Sequence, residues 1–90
     1  MGYGMAKVSE PEQPNYEELL KYLAQQLVDE PEEVQVAHIL EDRSIVLELK
    51  VSPKDMGKVI GKNGKIAQAL RTLIKAAGLK EGKRVMVEIV

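Results

Sequence analysis

Cysteine, tryptophan and phenylalanine are absent from the sequence, and three tyrosines are its only aromatic residues. Without cysteine, the chain can form no disulfide, no thiolate metal site and no cysteine nucleophile. The one histidine, His38, lies in an apolar stretch without neighbouring metal-ligand partners, so we interpret it as structural. We therefore expect no metal and no other cofactor.

Long hydrophobic runs are also absent. No apolar stretch approaches the roughly 20 residues that span a bilayer, and the start, MGYGMAKVSEPEQPN, lacks the apolar core of a signal peptide. We therefore expect a cytoplasmic protein. The chain of 90 residues suffices for one small hydrophobic core. Residues 1–14, with scattered glycine and proline, are predicted to be a flexible N-terminal tail, and residues 15–90 to form the domain.

The net charge of −1 conceals an uneven distribution of charge along the chain. Residues 1–42 carry two lysines and ten acidic residues, a net charge of −8. Residues 43–90 carry eleven lysines or arginines and four acidic residues, a net charge of +7. The second half is therefore a candidate surface for a polyanion, although such a pattern is also typical of a solvated surface.

Hydrophobic spacing predicts a leading helix that begins near Asn15. Asn15 and Glu18 have the spacing of a helix N-cap with a carboxylate three residues later. Pro31 prevents the helix from continuing. The apolar stripe of this helix consists of Tyr16, Leu19, Leu20, Leu23 and Leu27.

Two strands are predicted next, over residues 34–40 and 45–51, joined by a polar turn at residues 41–44. Ser52 and Pro53 then predict the N-cap and first position of a short helix. This helix should run to about Ile60, where the turn at residues 61–64 breaks it. A second helix follows, and Gly78 is its predicted C′ residue. The predicted core face of that helix comprises Ile66, Leu70, Leu73, Ile74 and Ala77.

A last strand is predicted over residues 85–89, after a polar loop at residues 80–83. Because it returns after a crossover of two helices, it should pair in parallel with the strand at residues 45–51. The sequence therefore predicts an α+β fold of order α-β-β-α-α-β, with a three-stranded mixed sheet packed on three helices.

The segment GKVIGKNGKI, residues 57–66, places a basic and polar pair between two glycines and between two helices. Glycine permits positive φ and lets another backbone approach closely. The turn opens a helix, whose free N–H groups and positive dipole end favour phosphate. Lys58, Lys62 and Lys65 add positive charge, and Asn63 adds a hydrogen-bonding side chain. Their coincidence predicts a phosphate-binding loop.

The VIGKNGKI stretch resembles the VIGxxGxxI core of KH domains, and the element order resembles the type II, bacterial KH fold. Residues 15–90 as a whole resemble the family of small bacterial RNA-binding proteins typified by KhpA. The similarity covers the Leu-rich first helix, the LELKV strand, the KDMGKVIGKNGKIAQALRTLIKAA helix pair and the KRVMVEIV strand. One departure is Ala67, which lies where the KH pattern has a branched apolar residue, so helix packing should differ slightly.

The resemblance implies that the GKNG loop contacts the backbone of single-stranded RNA, in a groove for about four nucleotides. The second wall of that groove would be the sheet edge and the loop at residues 80–83. The RNA-binding residues implied by the resemblance are Lys58, Val59, Ile60, Gly61, Lys62, Asn63, Gly64, Lys65 and Arg71.

The resemblance also implies an RNA chaperone or post-transcriptional regulator that acts with KhpB in cell-envelope and cell-length control. A homodimer that buries apolar residues of the helix pair would add avidity.

Other functions are less consistent with these residues. A P-loop is excluded because only three residues separate Gly57 from Gly61, and Asn63 follows Lys62. A helix-hairpin-helix DNA-binding motif, and a structural turn in a protein-interaction module, remain alternatives. An aromatic stacking platform has little support, because all three tyrosines precede the basic half. We expect no enzymatic activity, since no nucleophile with a base partner is visible.

Overall fold

The computed structural model describes residues 15–90, so the predicted tail at residues 1–14 lies outside the described residues. In the described part, three helices and three strands follow in the predicted order. They are α1 (Tyr16–Leu27), β1 (Gln35–Glu41), β2 (Ser44–Lys50), α2 (Met56–Ile60), α3 (Lys65–Lys80) and β3 (Arg84–Ile89). The sheet has the order β1–β2–β3, with β1 antiparallel and β3 parallel to the central strand. The predicted α+β fold is confirmed.

Helix α1 begins where the sequence predicts. The Oδ1 atom of Asn15 accepts a hydrogen bond of 3.1 Å from the N–H of Glu18, which satisfies a free donor of the first turn. The helix ends at Leu27, since Val28 adopts an extended backbone. The chain thus leaves the helix before it reaches Pro31, which begins a short 3-10 turn, Pro31–Glu33.

Alternate residues of the sheet point to opposite faces, and one of these faces packs against the helices. On the helix side, Leu47 of the central strand lies between His38 and Val87. Strand β1 forms one edge and is largely exposed. His38 is exposed on it, with Nδ1 4.0 Å from Oε1 of Glu17. Residues 15–90 hold no cluster of three side chains able to ligate a metal.

The helix pair starts with a 3-10 turn, Pro53–Asp55, before α2. Ser52 occupies the predicted N-cap position with proline at the start of the turn, although within residues 15–90 its side chain caps no backbone N–H. The N–H of Asp55 donates to the carbonyl of Ser52 at 2.8 Å and closes the turn, and the fixed φ of proline suits the first helical position.

The end of α3 corrects the prediction for Gly78. Gly78 lies inside α3, where an added Cβ would meet Cγ2 of Val85 at 2.6 Å. The N–H of Lys83 donates to the carbonyl of Gly78 at 2.9 Å, and that of Gly82 donates to the carbonyl of Leu79 at 3.0 Å. This is a Schellman motif with Gly82 at C′. Gly78 therefore allows α3 to pack closely on β3 and does not end the helix.

The core face of α3 is also rotated from the predicted one. Leu73 is 53% exposed, whereas Ala67 is buried. The small side chain at this departure from the KH pattern therefore belongs to the interior. The core contains residues from the three helices and from the sheet. It includes Leu20, Ala24, Leu47, Leu49, Val59, Leu70, Ile74 and Val85. None of the described helices is long and apolar enough to cross a membrane.

Candidate nucleic-acid interface

The loop between α2 and α3 is a tight turn whose two middle residues face solvent. The N–H of Gly61 donates to the carbonyl of Gly57 at 2.8 Å, and the N–H of Gly64 donates to that of Gly61 at 3.1 Å. Lys62 and Asn63 are exposed, whereas the two glycines are half-buried. The loop is therefore a rigid bend with an accessible tip.

Gly61 is required at this bend for two reasons. Its backbone has φ 77° and ψ 173°, a region open almost only to glycine. A Cβ on Gly61 would also meet Cγ1 of Ile66 at 2.6 Å. Gly64 has φ 73° but faces open space, since nothing lies within 4 Å of its added Cβ. A ligand backbone can therefore approach the loop closely on the Gly64 side.

The loop presents positive charge at the start of α3. Gly64 is the N-cap residue, and among residues 15–90 no side chain caps this end of the helix. The N–H of Lys65 donates to the carbonyl of Lys62, and the other N–H groups of the first turn have no side-chain acceptor among these residues, at the positive end of a helix of 16 residues. Lys62 and Lys65 are exposed and take part in none of the ion pairs formed among the described residues. This arrangement suits an anion.

Lys58, in contrast, is already held by carboxylates. Its Nζ atom lies 3.3 Å from Oδ2 of Asp29 and 3.7 Å from Oδ1 of Asp55. The neighbouring Lys54 places Nζ 2.9 Å from Oε2 of Glu30. The hydrogen bond from Lys54 is the main reason that the pKa of Glu30 is lowered, and the same contact raises the pKa of Lys54. The segment at residues 28–34, which we call the acidic linker, therefore forms ion pairs with the two lysines that precede the loop.

Asp55 connects this linker to α2 from inside the protein. Its side chain is fully buried, and Oδ2 accepts a hydrogen bond of 3.1 Å from the N–H of Glu30. No hydrogen bond reaches Oδ1 from residues 15–90, so the ammonium group of Lys58 is its nearest counter-charge. Since a buried carboxylate is costly without partners, these contacts fix the position of the helix that leads into the loop.

A groove lies between α3 and β3. It encloses about 370 Å³. The Nε atom of Arg71 donates to the carbonyl of Val87 at 3.3 Å, so Arg71 spans the groove from helix to strand. As an edge strand, β3 also leaves backbone N–H and C=O groups unpaired along this side. The lining residues are Gln68, Arg71, Thr72, Lys75, Val85, Met86, Val87 and Glu88.

The structure brings most of the predicted site residues together. The loop residues and Lys65 lie at the start of α3, Arg71 lies in the groove, and Ile60, 37% exposed, precedes the loop. Val59 does not belong to this surface. Its side chain is fully buried in the core, so it stabilises α2 and cannot line a wall of the groove.

The expected second wall is supplied by the edge strand β3, whereas no residue of the loop at residues 80–83 lines the groove, so that part of the expectation is wrong. Sequence reasoning also missed the other individual residues that line the groove. From α3 these residues are Gln68, Thr72 and Lys75, and their spacing from Arg71 places them on one helical face. That spacing was a usable signal. The contributions of β3, Met86 and Glu88, carried no such signal, because they depend on how the strand lies beside the helix.

The α-β-β-α-α-β order, the mixed sheet and the glycine-bounded loop between two helices together define a type II KH domain. The family model described as KhpA/KhpB, KH domain matches residues 17–89, and the chain belongs to this family.

Curated relatives and a solved structure are consistent with that family. The chain is 60% identical over 73 residues to the RNA-binding protein KhpA of Clostridium perfringens, covering 81% of this chain and 97% of that protein. It is 63% identical over 73 residues to the protein of the same name from Caldanaerobacter subterraneus, with the same coverage. A crystal structure of Era from Aquifex aeolicus matches with a TM-score of 0.59 and 21% identity, over 82% of this chain and 29% of that chain. This last match is a likeness of fold.

Proposed function

We propose that this domain binds single-stranded RNA, with the sugar-phosphate backbone on the GKNG loop and the bases in the groove between α3 and β3. The observation that carries the proposal is the exposed loop at the uncapped start of α3, with Lys62 and Lys65 in no ion pair with a described residue. Backbone N–H groups, the helix dipole and two ammonium groups converge where a phosphate would lie. The relatives named RNA-binding proteins favour RNA as the ligand.

The groove supports modest sequence selectivity. Phosphate contacts position a strand without reading its sequence, and the described groove contains no aromatic side chain on which bases could stack. Arg71 keeps donors of its guanidinium for a base, since only Nε is bonded to Val87. We therefore propose binding dominated by phosphate contacts, and a binding role without catalysis.

The test is a double substitution at the loop tip, Lys62→Asp with Asn63→Asp. Two carboxylates in place of an ammonium and an amide should weaken binding of a single-stranded RNA by at least about tenfold. Both positions are exposed, and aspartate tolerates the left-handed backbone of Asn63, φ 57°, so the melting temperature should change little. Fluorescence anisotropy and thermal denaturation measure the two quantities.

The matched control is Lys21→Asp with Gln26→Asp on the exposed side of α1. It makes the same change in charge away from the loop, and RNA binding should remain close to that of the unmodified protein. Equal binding by the loop variant and the unmodified protein would refute the proposal and favour a protein-interaction module. A preference for double-stranded DNA would favour a helix-hairpin-helix function, which the flanking sheet argues against.

We further propose that the domain acts as an RNA chaperone or post-transcriptional regulator, with KhpB as a partner and a role in cell-envelope control. Family membership supports this extension. The exposed apolar residues Ile60 and Leu73 of the helix pair also support a homodimer, which would place two loops in one particle. Sedimentation that shows only monomer at high protein concentration would exclude the homodimer.

A further inference from the structure

A second cavity adjoins the groove at the C-terminal end of α3. It encloses about 390 Å³ and is lined by Lys75, Leu79, Arg84, Val85 and Met86. We call it the outer pocket. Lys75, Val85 and Met86 also line the groove, so the two spaces are adjacent.

Two large apolar side chains of the outer pocket are exposed to water. Leu79 is 60% exposed and Met86 is 43% exposed. A flat apolar ligand would bury both, which is favourable because it removes apolar surface from water. Every nucleobase offers an apolar π-face, and a methionine thioether makes favourable contacts with such rings.

The charges of the outer pocket complement a phosphate. Lys75 and Arg84 are exposed and form no ion pair with any described residue. Among the described residues, no carboxylate lines the outer pocket, whereas Glu88 lines the groove proper. Lys80, in the last turn of α3, offsets the negative dipole of that helix end. Cations beside exposed apolar side chains fit a nucleotide, which carries an anionic phosphate and an apolar base.

The outer pocket also lies on the course that a bound strand would follow. At about 1.5 Å per residue of α3, Leu79 is about 21 Å along the helix from Lys65, beyond the loop that clamps about four nucleotides in KH domains. We propose that the outer pocket is an additional nucleotide subsite, with a base against Leu79 and Met86 and its phosphate against Lys75 and Arg84. This inference rests on the proposed RNA binding and extends the footprint beyond the loop.

The experiment compares uridine oligonucleotides of four and eight nucleotides by fluorescence anisotropy. Leu79→Ser and Arg84→Gln should each weaken octamer binding about fivefold and leave tetramer binding within about twofold. Arg84→Gln should also reduce the slope of log K against log salt for the octamer by about 0.7, as expected for one lost phosphate contact on a single strand. Comparing variants at a fixed RNA length removes the statistical advantage of the longer strand.

Matched controls are Leu40→Ser, on the exposed edge strand β1, and Lys21→Gln, on α1. Both should bind the octamer like the unmodified protein. If Leu79→Ser and Arg84→Gln bind the octamer like the unmodified protein, the outer pocket is not a nucleotide subsite, while the RNA-binding proposal remains intact. Equal weakening of tetramer and octamer would also overturn the outer pocket as a subsite. If the unmodified protein binds neither RNA, both proposals fail. Should Leu79→Ser not fold, Arg84→Gln decides the question alone, because its side chain is exposed.

Discussion

At the scale of single residues, two glycines near the loop differ in whether the structure requires glycine. Gly61 combines a positive φ with a close approach to Ile66, whereas Gly57 lies in α2 with nothing within 4 Å of an added Cβ. Gly61→Ala should therefore destabilise the protein by about 1–3 kcal/mol. Gly57→Ala should stabilise it by about 0.5–1 kcal/mol, because alanine favours the helix. Urea denaturation of both variants measures the difference.

The same two variants distinguish the effect of loop geometry on RNA binding from the effect of overall stability. Gly61→Ala should weaken binding even at a temperature where it is fully folded, since its loop must shift away from Ile66. Gly57→Ala should bind like the unmodified protein. A loss of stability of the same size in both variants would contradict the loop geometry described above.

Individual residues were predictable from the sequence where the requirement is local. The glycines of GKNG and the Asn15 cap follow from backbone conformation and from hydrogen bonds within a few residues. Gly78 was misread as a helix end because its requirement is the approach of Val85, which is distant in sequence. Val59 was assigned to the surface for the same reason, as its burial depends on packing.

At the scale of elements, Asp55 determines how α2 is attached to the linker after α1. Asp55→Ala would leave the N–H of Glu30 without its acceptor and Lys58 without one of its two carboxylates. We expect a loss of about 1–3 kcal/mol in the free energy of unfolding, as for a buried donor left unpaired. The matched control is Asp29→Ala, whose exposed ion pair with Lys58 should contribute at most about 1 kcal/mol. Similar losses for the two variants would contradict a structural role for Asp55.

The ion pair between Glu30 and Lys54 predicts how stability depends on pH. The pKa of Glu30 is lower in the folded protein, so its contribution is complete above the unfolded pKa and is lost as pH falls through the folded one. The pKa of Lys54 is shifted in the opposite direction, upward. Its stabilising contribution is therefore complete below the unfolded pKa and is lost only as pH rises through the folded pKa. Glu30→Gln should therefore melt below the unmodified protein at neutral pH, and the two melting curves should converge in acid. Glu32→Gln is the control for the removal of a nearby charge. A difference in melting temperature between Glu30→Gln and the unmodified protein that stays constant from neutral to acid pH would contradict the prediction.

The elements themselves were largely predictable, and their mutual contacts were not. Alternating and helical spacing located all three strands and all three helices of residues 15–90. The groove could not be predicted from spacing alone, because Arg71 contacts Val87 only when β3 lies parallel to β2 and beside α3. Periodicity also placed Leu73 in the core, although it is half-exposed at the edge of the buried face of α3.

At the scale of the whole molecule, the acidic and basic halves of the chain contact each other within residues 15–90. Asp29 and Glu30, from the half with a net charge of −8, pair with Lys58 and Lys54 from the half with a net charge of +7. The cations that form no ion pair among the described residues include Lys62 and Lys65 at the loop, Arg71 and Lys75 on α3, and Arg84 on β3. The acidic linker thus limits the number of phosphate contacts that the domain can offer beside its loop.

This limit predicts that Asp29→Asn tightens RNA binding. Without the Asp29 carboxylate, Lys58 keeps only the contact with Asp55 at 3.7 Å, and one fewer carboxylate competes with a phosphate for its ammonium group. We expect about twofold tighter binding and a salt slope steeper by up to about 0.7. The control is Asp42→Asn, which makes the same change in net charge in the turn between β1 and β2, where asparagine suits the positive φ of 45°. Adding Lys58→Gln to Asp29→Asn should abolish the gain. Equal tightening by both single variants would instead indicate a general effect of net charge and refute a specific role for Lys58.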